Sequence, residues 1–257
     1  MEIGEIEMNG LVLTLLLGLF IAIGAFIVFF FKDNGNFIEF SIAMALSVIL
    51  MLVIFDIIPE SYEAIDTGNI IMNLLILISG AGIGFFLLKV LDHFIPDHED
   101  DLTTEEDDNR NLNHIGLISS IALVIHNIVE GIAIYTLYNT DPQAGIMTGI
   151  GVGLHNIPLG MVIASTFYQY NRSKGKTSLI ILGLSLSTVV GGLVMSVFQI
   201  NEIIHLIEVI SLSMTLGMLL YISVMELIPK VKHCKYKNVT AIGFVVGFLL
   251  SFISIIL

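Results

Sequence analysis

Long apolar runs alternate with short polar stretches along the whole chain. A helix that crosses a membrane needs about 20 mostly apolar residues. Eight runs meet that length, at 10–31, 37–58, 70–91, 115–138, 144–169, 178–199, 205–229 and 239–257. The pattern predicts an all-α integral membrane protein with eight transmembrane helices, a single membrane domain over 1–257, and one long polar insert at 92–114. Small residues punctuate the runs: Gly18 and Gly24 in the first, Gly243 and Gly247 in the eighth, and a stripe of Ser185, Ser187, Thr188, Gly191 and Gly192 in the sixth. Such residues let helix backbones approach closely. Gly80, Gly82 and Gly84 predict a break in the third helix. The second run ends in Asp56-Ile57-Ile58-Pro59-Glu60 and the seventh in Glu226-Leu227-Ile228-Pro229. Proline stops a helix, so the shared acid-x-x-Pro phrase predicts two helix ends, one at each face. Matched interruptions in corresponding places also point to an inverted repeat.

Charge orients this pattern. All ten Lys and Arg residues fall in alternate loops: Lys32, then Lys89 and Arg110, then Arg172, Lys174 and Lys176, then Lys230, Lys232, Lys235 and Lys237. The loops at 59–69, 139–143 and 200–204 have none, nor do the termini. The positive-inside rule then places the basic loops in the cytoplasm and both termini outside. Acidic Glu2, Glu5 and Glu7 before a long first run argue against a cleavable signal peptide. A net charge of −13 argues against nucleic acid as a partner, and the lone Cys234 forms no disulfide within the chain. Eight of the acids lie between Asp97 and Asp108. With His93, His98 and His114 they make the insert at 92–114 either a solvated tether or a loose collector of metal ions at the cytoplasmic mouth, unstructured by composition.

Against this background two phrases stand out: His126-Asn127-Ile128-Val129-Glu130-Gly131 in the fourth run and His155-Asn156-Ile157-Pro158-Leu159-Gly160 in the fifth. An acid at bilayer depth costs roughly 2.5–3.5 kcal/mol on insertion scales. His126 and His155 are each 11 residues into their runs, roughly 16 Å into a roughly 30 Å hydrocarbon core. The two helices are antiparallel neighbours, so both imidazoles reach the same midplane. His126 and Glu130, four residues apart, share one helical face. Two imidazoles and a carboxylate suit a borderline-soft divalent metal ion. Asn127 and Asn156 can orient these ligands or add an oxygen. Pro158 frees the carbonyl of Leu154, which needs a polar neighbour at that depth. Other readings of the same residues are histidines that serve as packing hydrogen-bond donors and a proton relay without metal. Neither a nucleophile with its base nor a Gly-x-x-x-x-Gly-Lys-Ser/Thr loop is present, so no enzyme and no direct use of ATP are expected.

At these residues the chain resembles the ZIP (Zrt/Irt-like) family of divalent metal transporters. The likeness extends over nearly all 257 residues and is most specific at His-Asn-x-x-Glu-Gly. It implies an inverted repeat of helices 1–3 and 6–8 around central helices 4 and 5, and a homodimer in a bilayer, the plasma (cell) membrane. It also implies that one bundle moves against the other. The transported ion would be Zn2+ or a relative such as Fe2+, Mn2+ or Cd2+, bound by His126, Glu130 and His155, with Asp56 at the outer entrance. Three positions depart from the family pattern. Leu159 stands where a second Glu is usual, Thr188 where many relatives carry a Glu, and Met225 where some carry an acid. The expectation is therefore a mononuclear site, completed by Asn127, Asn156 or water, that carries zinc toward the cytoplasm. The competing expectation is a metal-binding or metal-sensing membrane protein with little or no transport.

Overall fold

One acidic residue sets the layout of the middle of the chain. The Asp141 carboxylate accepts the backbone N–H groups of Gln143 (3.0 Å) and Ala144 (3.1 Å), an N-cap that satisfies donors with no partner inside the helix. Pro142 follows at the first helical position, where its missing N–H costs nothing. The chain therefore reverses direction at Asp141 with almost no linker. His126 lies 15 residues before Asp141 and His155 14 after it, so at 1.5 Å per residue both sit about 22 Å from the turn.

The computed structural model describes residues 3–31, 35–94, 105–171, 173–198 and 201–256. Within them, eight helices are long and apolar enough to cross a membrane. They are α1 (Ile3–Phe31), α2 (Gly35–Ala64), α3 (Ile70–Phe94), α4 (Glu105–Thr140), α5 (Pro142–Asn171), α6 (Lys174–Phe198), α7 (Asn201–Tyr221, continued by Ile222–Leu227 and Ile228–His233) and α8 (Lys237–Ile256). The all-helical, eight-span architecture read from the apolar runs is thus present.

Three local expectations are corrected. First, Pro59 and Pro229 do not end their helices: α2 continues to Ala64 and α7 to His233. Each proline is preceded instead by a π-turn, Val53–Ile57 in α2 and Ile222–Leu227 in α7. The Ile58 N–H donates to Val53 O and the Ile228 N–H to Ser223 O, five residues back. That wider turn makes room for a ring that would clash with the carbonyl four residues earlier. Second, α3 is unbroken. Gly80 and Gly84 abut Ser213 and Met214 of α7 so closely that a Cβ at either would collide with them, so these glycines serve packing. Third, helix enters the polar insert from both sides, because α3 reaches Phe94 and α4 begins at Glu105. His98, Asp97, Glu99, Asp100 and Asp101 lie outside the described residues, as do Lys32 and Arg172.

The helices sort into two groups. Each of α1, α4, α5 and α6 packs against the other three. The seam of α4 on α6 is close: a Cβ on Gly131 would strike the Thr188 carbonyl, and one on Gly191 the Ile128 carbonyl. In the second group α2 pairs with α8 and α3 with α7, while α2 also touches α7. The groups meet where α5 contacts α2 and α8 and where α4 contacts α7 and α3. This packing pattern is unchanged when α1 is exchanged with α6, α2 with α7, α3 with α8 and α4 with α5. The apolar outer faces of α3 and α8 stay exposed, with Ile71, Ile78, Phe86, Ile242 and Ile256 prominent.

Candidate metal centre

The α4–α5 pair brings the sequence-selected residues together. His126 Nε2 and His155 Nε2 each lie 2.8 Å from the same atom, Glu130 Oε1. All three side chains are buried, and the two imidazole centroids are 6.3 Å apart. The i, i+4 spacing puts His126 over Glu130 on α4, and equal counting from Asp141 delivers His155 from α5. One ligand atom from each residue therefore faces a common point. A tetrahedral zinc with bonds of about 2.0–2.1 Å holds neighbouring ligand atoms about 3.3 Å apart. Small rotations of the side chains would open the 2.8 Å contacts that far.

The asparagines differ in what they do. Asn156 Nδ2 donates to Glu130 Oε2 (3.3 Å), so it steadies the carboxylate from behind. Asn127 Nδ2 donates across to the Leu184 carbonyl of α6 (3.2 Å). Its Oδ1, like that of Asn156, is buried and has no hydrogen-bond partner among the described residues. An unsatisfied buried carbonyl oxygen is costly, and a cation would satisfy it.

The departures from the family phrase have structural counterparts. Leu159, the residue one turn past His155, is buried in the apolar core. It occupies on α5 the place that Glu130 occupies on α4, each followed by a glycine pressed against a neighbouring helix (Gly160 on Ile21, Gly131 on Thr188). Thr188 is buried with its hydroxyl unpartnered among the described residues, and Met225 is exposed. Among the described residues the cluster of His126, Glu130 and His155 thus holds one carboxylate. Asp56 sits in the α2 π-turn and is close enough to interact electrostatically with His155, Glu130 and His126. Glu60, one turn beyond, interacts likewise with His126.

A second cluster was not read from the sequence. His114 Nε2 of α4 lies 2.5 Å from Asp92 Oδ1 of α3 and 3.7 Å from Glu226 Oε1 in the α7 π-turn. The Tyr221 hydroxyl donates to the other Asp92 oxygen. These residues come from three helices and have no local spacing to betray them. The available signal was depth, because charge counting puts the end of α3, the start of α4 and the Pro229 region at the same face. The sequence groups His114 and Asp92 with the polar insert, as a solvated tether or a loose collector of metal ions.

Comparison with known proteins adds an independent line. The family described as "ZIP Zinc transporter" matches residues 96–255. The zinc transporter ZupT of Streptococcus mutans is 28% identical over 260 residues, covering 96% of this chain and 96% of that protein. The zinc transporter ZupT of Chlorobaculum parvum is 25% identical over 260 residues (95% and 96%), and that of Enterobacter sp. (strain 638) is 26% identical over 252 residues (96% and 96%).

Proposed function

Because this chain belongs to the ZIP zinc transporter family, we propose that it carries zinc across the membrane toward the cytoplasm through a mononuclear midplane site. The observation that carries this reading is the meeting of His126, Glu130 and His155 at one point inside an eight-helix membrane domain. Three ligands of this kind leave a position for Asn127 Oδ1, Asn156 Oδ1 or water. Nitrogen-rich ligation favours zinc, with iron, manganese and cadmium as relatives of similar preference.

The path has charged stations at both ends. Glu60 and Asp56 attract the ion from outside and exchange its water for carboxylate. The buried trio holds it. Asp92, His114 and Glu226 receive it at the inner end and deliver it to the acidic insert. With one carboxylate against a dication, the midplane complex keeps about one positive charge, which limits affinity and favours release. The non-transporting, metal-sensing alternative is not favoured, since the relatives that match nearly the whole chain are transporters.

Movement follows from the two helix groups. We assign α1, α4, α5 and α6 as the carrier of the site and α2, α3, α7 and α8 as the frame that it moves against. The exchange symmetry of the packing supports an inverted repeat of α1–α3 and α6–α8 about α4 and α5, with both termini outside. The exposed apolar faces of α3 and α8 suit contact with lipid and with a second copy of the chain in the cell membrane.

The test is zinc uptake into vesicles reconstituted with the purified protein. His126→Ala and His155→Ala should each abolish saturable uptake while the protein remains monodisperse. Uptake at the level of the unaltered protein in both variants overturns the site.

A further inference from the structure

Which nitrogen of His155 carries the proton is decided on the side of the ring that faces away from Glu130. Ser254 lies near the end of α8. Its Oγ is 2.7 Å from the Gly151 carbonyl oxygen and 3.2 Å from His155 Nδ1. A hydroxyl has one proton, and a carbonyl oxygen only accepts. The Ser254 proton therefore goes to Gly151. The remaining lone pairs on Oγ can only accept, so His155 donates from Nδ1–H. Neutral imidazole has one N–H, which leaves His155 Nε2 bare. That bare nitrogen is the atom 2.8 Å from Glu130 Oε1, and two lone pairs at that distance repel unless a metal ion or a further proton sits between them.

The backbone makes this relay possible. Gly151 is one helical turn before His155 on the same face of α5. A Cβ at Gly151 would come within 2.6 Å of the Ser254 carbonyl, so a larger residue there would push α8 away and lift the hydroxyl off the ring. His126 has no such support, as its Nδ1 is buried without a hydrogen-bond partner among the described residues.

We infer that Ser254 is a positioning residue for ion binding: it holds His155 in the Nδ1–H tautomer and so presents Nε2 to the ion. A partner on the far ring nitrogen sets tautomer and orientation in metal sites, and its loss typically weakens metal affinity by about 10–100-fold. The inference rests on His155 being a ligand, as proposed above.

The experiment measures zinc affinity of the purified full-length protein in detergent, by competition with a chromophoric chelator, for the unaltered chain, Ser254→Ala, Ser251→Ala and His155→Ala. Ser251 is one turn away on α8, buried, and its hydroxyl has no partner among the described residues, so it controls for helix packing. Ser254→Ala should raise the Kd about tenfold, with Ser251→Ala unchanged and binding lost in His155→Ala. 15N spectra of histidine-labelled protein should show the His155 Nδ1–H form in the unaltered chain and a mixture of tautomers in Ser254→Ala. An unchanged Kd in Ser254→Ala overturns the inference, as does an equal loss in Ser251→Ala or identical imidazole spectra. Retained binding in His155→Ala overturns the reading of the site itself, which separates the two failures.

Discussion

The midplane trio and the inner cluster use the same chemistry in opposite ways. Each offers histidine and carboxylate. The trio is buried, draws on two helices joined by a one-residue turn, and aims both imidazoles at one oxygen at equal distance. The inner cluster is partly exposed and draws on three helices, α3, α4 and α7. It is lopsided: His114 is 2.5 Å from Asp92 but 3.7 Å from Glu226. The trio can close on an ion without the two helix groups shifting. The inner cluster spans both groups, so any relative displacement stretches it. On the proposed reading the difference assigns affinity to ligands that share one helix group, and hand-over to ligands that do not.

That contrast can be broken by substitution. The largest effect is expected from Glu130→Ala. It removes the carboxylate that lies 2.8 Å from both imidazoles, and zinc binding by titration calorimetry should weaken by more than the roughly 100-fold that loss of an outer partner can cause. A variant that still binds tightly would show that the trio is not the affinity site. Next comes acidity. Both imidazoles must be neutral to coordinate, so protons compete with the ion. Uptake should fall about tenfold or more as external pH drops from 7 to 5.5 and recover on return; a rise in uptake at low pH would contradict coordination by neutral histidine. A smaller effect belongs to the inner cluster. Asp92→Asn and Glu226→Gln should lower maximal uptake about three- to fivefold with equilibrium affinity unchanged, since hydrogen bonds and ion pairs of partly exposed groups contribute only about 1 kcal/mol. If they change affinity as much as Glu130→Ala does, the division of labour is wrong. The smallest is Glu60→Gln, which should raise the KM about twofold at low salt and not at high salt, because a charge at the mouth acts by screened attraction.

The legible and illegible parts of the molecule divide by the range of the interaction. The eight spans could be read because twenty apolar residues in a row answer to one physical demand. The trio could be read because His126 and Glu130 are four apart and because His155 mirrors His126 about Asp141. The inner cluster could not, since Asp92, His114 and Glu226 meet only through tertiary packing. Ser254 was equally hidden, 99 residues from His155 in a helix that otherwise reads as plain lipid-facing apolar sequence. The proline phrases read in sequence as a pair of helix ends, yet both helices run on through them. A five-residue-back hydrogen bond leaves no side-chain signature, and in a membrane the backbone re-forms bonds around a proline rather than exposing them. Gly80 and Gly84 read in isolation as a helix break, and become close packing with Ser213 and Met214 of α7 alongside.

The two π-turns have a consequence for how this chain can be altered or aligned. Asp56 and Glu226 owe their bearings to the count of residues before them as much as to their identity. Shortening either turn by one residue would restore ordinary helix and swing the acid about 100° around the axis, leaving composition and hydropathy nearly untouched. A deletion at Ile54 or at Val224, both on exposed faces, would thus silence a carboxylate without replacing it.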